Sequence, residues 1–169
     1  MHNSDGKYWK RSGETCCTVQ TRIYLQEIEK MLHENHSASI PVSGISMYPF
    51  LTPNCDYVGL RPMDTVRCRP GMIVLFRRES GAYVLHRIIK CKNESVFLAG
   101  DGQCILEGPI HISQVVGWVS HVYRRGKWVA LWRRKGFIFG VLWRWAFPIR
   151  RYWFGGARRL SVLVAGRKG

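Results

Sequence analysis

The stretch SGISMYPF, residues 43–50, sets Ser46 between Gly44 and Pro49 with Met47 beside it. A serine hydroxyl is a weak nucleophile at neutral pH and needs a neighbour to take its proton. One histidine, His86 in YVLHRIIK, has the right surroundings to act as that neighbour. Alternation along a strand puts Val84, His86 and Ile88 on one face. Apolar neighbours disfavour the imidazolium, and a general base must be neutral before it acts. An acid that orients the imidazole and stabilises its cation completes such a site. FLAGDGQCILEGP supplies two candidates, Asp101 and Glu107. The order along the chain is nucleophile, base, acid. Each residue also has a plain structural reading: Ser46 in a surface turn, His86 as a satisfied core histidine, Gly-Asp-Gly as a tight turn. The claims of His33, His36, His111 and His121 are weaker, since none sits in a comparable apolar strand.

These side chains need a scaffold. Residues 1–17 read as a flexible polar leader. Residues 18–36 read as an amphipathic helix, with Tyr24, Ile28, Met31 and Leu32 at helical spacing and Thr18 or Thr21 as its cap. Residues 38–126 then run as short segments rich in Val, Ile, Phe and Tyr, separated by Gly, Pro, Asn and Asp. That pattern predicts a mainly β fold, a compact antiparallel barrel or sandwich. Ser80-Gly81 falls between two strand-like runs, where a hairpin turn belongs. Residues 127–169 form a basic, aromatic tail that reads as helical.

The chain has 169 residues and a net charge of +15, enough for one domain with its own core plus an appended segment. No acid follows Glu107, while residues 108–169 hold 13 of the 26 Lys and Arg residues and six of the seven Trp. The longest uncharged run in the tail, residues 136–143, is far short of the about 20 apolar residues a spanning helix needs. Trp and Phe sunk at a headgroup layer, with Arg against anionic lipid, suit the tail to a membrane surface. Nucleic-acid recognition motifs are absent. The six cysteines contain no CxxC pair, so zinc-finger spacing is missing and no metal or other cofactor is expected. The first 17 residues lack the apolar run of a signal peptide, which points to a cytoplasmic, reducing setting with free thiols.

From about residue 42 to 123 the chain resembles the signal peptidase superfamily of serine endopeptidases. SGISMYPFLTPNCDYVGLRP looks like the nucleophile box, GMIVLFRR like the strand after it, and YVLHRIIK like the base-bearing strand. FLAGDGQC looks like the Gly-Asp box and QVVGWVSHVYRRGKW like the closing strand. The five lie in the family's order. Typical bacterial leader peptidases carry Lys in the base-bearing strand. His86 followed by Arg87 is similar to the endoplasmic-reticulum, archaeal and spore-former branch, which pairs Ser with His.

The resemblance implies a signal-peptidase-like β fold and peptide-bond hydrolysis through an acyl-enzyme. Ser46 would be the nucleophile and His86 the base. Asp101 matches the Gly-Asp box, and Glu107 stands near the branch's further acid, where the family prefers Asp. The backbone N–H of Ser46, with Ser43 or Gly44, would supply the oxyanion hole, and Met47 would floor the cleft. The family's usual membrane span before the nucleophile box is replaced here by a soluble helix pattern. The implied substrate is a leader or precursor peptide held near a membrane, with a transporter or maturation protein as a further partner. Two other classes fit part of the pattern: a non-catalytic basic membrane or peptide adaptor, and a self-cleaving repressor-type autoprotease.

Overall fold

The computed structural model describes residues 14–63, 67–103 and 105–131. It is mainly β, with one α-helix and one eight-stranded antiparallel sheet among the described residues. The predicted mainly β, antiparallel character therefore holds. The aromatic tail beyond residue 131 and most of the leader lie outside the described residues.

Helix α1 spans Glu14–His33. It starts four residues before the predicted boundary, so Thr18 and Thr21 lie inside it rather than at its cap. The absence of Gly or Pro from residues 14–17 permits the extension. It closes at Asn35, whose φ of 62° is the left-handed conformation that Asn tolerates well at a helix end. Of the four residues at helical spacing, Ile28 and Leu32 are buried, while Tyr24 and Met31 are exposed.

The strands are β1 Ala38–Pro41, β2 Tyr57–Arg61, β3 Ile73–Arg77, β4 Tyr83–Lys92, β5 Ser95–Ala99, β6 Glu107–His111, β7 Val115–Arg124 and β8 Lys127–Ala130. The order is β1-β2-β7-β3-β4-β5-β6, with β8 returning along β7. Residues 127–130 thus belong to the sheet, and the domain does not stop at 126. The β3–β4 connection is the predicted hairpin: the Arg78 N–H donates to the Ala82 carbonyl at 2.8 Å, and Gly81 takes φ +80°.

Alternation along β3 divides the interior in two. Ile73 and Leu75 join a cluster containing Ile28 and Leu32 of α1, Ile40, Met47, Val58 and Val119. Val74 and Phe76 point the other way, into a cluster with Ile88, Val96, Leu98 and Val115. Removing each such side chain from water contributes about 1.5–3 kcal/mol. Both cores are needed because the sheet is apolar on both faces, as the unbroken run MIVLF announces. Polar contacts add to the docking of α1: Glu29 accepts from Tyr83 of β4 and pairs with Arg77 at 3.4 Å. No helix among the described residues is long and apolar enough to cross a membrane.

Candidate active site

Ser46 lies in a 3-10 turn, Ile45–Met47, that follows β1 and contacts β4. The turn is anchored from below by Met47, which is 1% exposed in the first core. It is held from the side by the Gly100–Gly102 loop: the Gly102 N–H donates to the Ser46 carbonyl at 2.8 Å. The approach is too close for any side chain. A Cβ on Gly100 would stand 2.4 Å from that carbonyl oxygen, and one on Gly102 2.7 Å from the carbonyl of Tyr48. The Gly-Asp-Gly sequence is therefore a bed for the serine turn, a role more specific than a surface turn.

The central acid of that bed faces inward. Both Asp101 oxygens accept from Arg87, at 2.8 Å from Nε and 2.6 Å from Nη2, and Arg87 also donates to the Gly71 carbonyl at 2.8 Å. The Arg87 guanidinium lies 4.7 Å over the Phe50 ring, just past the serine turn. Asp101 is one of the two acids expected to orient His86. The structure gives its carboxylate to Arg87, because alternation turns Arg87 to the face opposite His86, where the loop passes.

Glu107 takes the place at His86. Its β6 position pairs with Leu98 of β5, which pairs with Ile88 of β4, two residues along the same face from His86. The carboxylate Oε2 stands 3.4 Å from His86 Nδ1. That is an ion-pair contact without hydrogen-bond alignment, so the buried Nδ1 has no hydrogen-bond partner among the described residues. The ring is 2% exposed and packs at 5.8 Å on Phe76. Burial holds the imidazole below its ordinary value of 6.5, partly offset by the negative charges of Glu107 and Asp101 and reinforced by Arg78. Burial among Val84, Phe76 and Ile88 is as the strand pattern predicts.

Arg78 is a residue that sequence reasoning missed. It grips Glu107 by both oxygens, Nε to Oε1 at 2.5 Å and Nη2 to Oε2 at 2.7 Å, and holds that carboxyl below its ordinary value. Its signal was present: Arg78 follows Phe76 by two and so shares the face of His86.

Ser46 opens on a cavity of about 730 Å³ between α1, β1 and β4. Ser43, Gly44 and Met47 are among the residues that line it, together with Leu85 of β4 and Tyr24 of α1. Among the described residues the lining contains no charged side chain. His86 does not line it, although Val84 and Leu85 do. Ser46 Oγ and His86 form no hydrogen bond in the structure: the serine turn is anchored in the first core and His86 faces the second, with β4 between. Among the described residues no three His, Cys, Asp or Glu side chains gather as a metal site. The described Cys55, Cys68 and Cys91 are free thiols. Comparison with protein-family models finds no match to this chain, and comparison with curated proteins finds none either.

Proposed function

We propose that the chain is a serine endopeptidase of the signal-peptidase-like type that cleaves a leader or precursor peptide, with Ser46 as nucleophile, His86 as base and Glu107 as the orienting acid. The observation that carries this reading is the state of His86. It is a buried imidazole, held below its ordinary value by that burial, with a carboxylate 3.4 Å from its Nδ1, on the strand that the serine turn contacts. His86 accepts the Ser46 proton as Oγ attacks the scissile carbonyl, and Glu107 stabilises the resulting imidazolium. His86 then passes that proton to the leaving amine, and a water whose proton His86 takes releases the acyl group. Proton transfer requires the two side chains to come together across β4 when substrate enters, since the serine turn sits on the first core and His86 faces the second. The uncharged cleft beside Ser46 suits an extended apolar segment. Asp101, through Arg87, fixes the bed of the turn instead of the base. The basic, Trp-rich tail beyond β8, residues 131–169, attaches the enzyme peripherally to anionic membrane on the cytoplasmic side.

A fluorophosphonate probe tests this directly. Ser46 of the wild-type chain is expected to be phosphonylated. Ser46→Ala is expected to abolish labelling, and His86→Ala to slow it by about 10²-fold or more. A wild-type chain with no adduct at Ser46 would overturn the assignment.

A second reading, a non-catalytic peptide-binding module, is favoured by one observation: His86 stands outside the cleft that Ser46 lines. It predicts that Ser46→Ala leaves binding of apolar peptides unchanged and that no precursor is cut.

A further inference from the structure

Three groups with opposing charges converge at the rim of the second core. Arg78 follows β3, His86 is in β4 and Glu107 opens β6, so no two are neighbours in sequence. Alternation puts Arg78 on the face of Phe76, whose ring lies 5.8 Å from that of His86. Glu107 Oε2 is shared, 2.7 Å from Arg78 Nη2 and 3.4 Å from His86 Nδ1. The guanidinium fork leaves the carboxylate little freedom, since both oxygens are engaged in one plane. A glutamate has one more rotatable bond than an aspartate, and an unclamped one loses more order in holding a fixed position.

We propose that Arg78 is a positioning residue for the reaction at Ser46, clamping Glu107 so that one oxygen stays at His86 Nδ1 without fully pairing with it. The inference rests on the reading of His86 as the base. Two consequences follow from the charges. Arg78 competes for Oε2 and adds to burial in disfavouring the charged imidazole. Glu107, held close, still stabilises the imidazolium when the Ser46 proton arrives. The charged groups acting on the ring are Glu107 from β6, Arg78 after β3 and Asp101 from the Gly-Asp-Gly loop; β5 contributes none, and Arg87 faces away.

The test follows the His86 ring by NMR through a pH titration of the full chain, in parallel with fluorophosphonate labelling of Ser46. Arg78→Gln is expected to raise the His86 titration midpoint, because Glu107 then serves the imidazolium alone. Glu107→Gln is expected to lower it. Arg77→Gln, which removes the same charge one residue away from a side chain that pairs with Glu29, is expected to leave it in place. Labelling of Arg78→Gln at pH 6 is expected to slow by about tenfold, part of the 10²–10⁴ that a positioned base contributes. Arg78→Lys, which keeps the charge but not the fork, is expected to hold the midpoint near wild type while labelling slows. An Arg78→Gln midpoint equal to wild type, or moved equally by Arg77→Gln, would overturn the clamp. Absence of wild-type labelling would instead overturn the protease reading, and the titration would report on the clamp regardless.

Discussion

Asp101 and Arg87 form a buried two-point ion pair, at 2.8 and 2.6 Å, with side chains 0% and 2% exposed. One partner lies in the loop that supports Ser46 and the other in the strand that carries His86. The pair is thus a structural joint between the two halves of the candidate site. Breaking a buried pair leaves an uncompensated charge, which costs about 3–5 kcal/mol. Asp101→Asn is expected to destabilise the chain by that amount in urea unfolding. The double variant Arg87→Met with Asp101→Leu is expected to lose less than the two single variants together, since no buried charge remains.

The glycine bed makes a contrasting pair of predictions. Gly100→Ala puts a methyl group 2.4 Å from a backbone oxygen, an overpacking expected to cost about 1–3 kcal/mol. Gly44→Ala, at φ −95° with nothing within 4 Å of the added carbon, is expected to be neutral or stabilising by up to about 1 kcal/mol. Urea midpoints of the two variants would separate a packed glycine from a free one.

Acid should weaken the fold through His86. Its folded value lies below 6.5 because it is buried, so the unfolded chain binds the proton first as pH falls. Unfolding free energy therefore falls as pH drops from 6.5 toward the lowered folded value and levels off beneath it. Glu107, whose folded value lies below its ordinary 4.5, adds a further loss in more acid solution. Urea unfolding at pH 7.5 and 5.5 is expected to show the loss, and His86→Gln is expected to flatten the slope between those two conditions.

Leu32 is the anchor of α1, 1% exposed in the first core. Leu32→Ala is expected to cost about 2–5 kcal/mol. Exposed Met31, one residue earlier, is expected to tolerate Ala within about 0.5 kcal/mol. Thermal unfolding of the two variants reads the difference.

The sequence made much of this site legible and left particular parts hidden. Alternation around His86 was readable because a strand's period of two is a local property, and Val84 and Ile88 declare the buried face. Arg78 obeys the same alternation, but nothing nearby in the chain says which carboxylate it meets. Thr18 and Thr21 misled as helix caps because a threonine that can cap a helix can also stand inside one, and α1 begins at Glu14. Tyr24 fits the helical spacing but is exposed, because it stands on α1 beside the cleft that Ser46 lines, and only the packing of α1 reveals that cleft.

The residues themselves determined the mainly β class, the hairpin at Gly81, the apolar setting of His86 and the Gly-Asp-Gly turn around Asp101. The tertiary structure alone decided that Asp101 serves Arg87, that Glu107 with Arg78 serves His86, and that β4 stands between His86 and the core beneath Ser46. Local propensities act over a few residues. Which acid reaches which base depends on strand order and register, here shifted by bulges between Ile88 and Lys90 and between Val96 and Leu98, and those are set by contacts far apart in the chain.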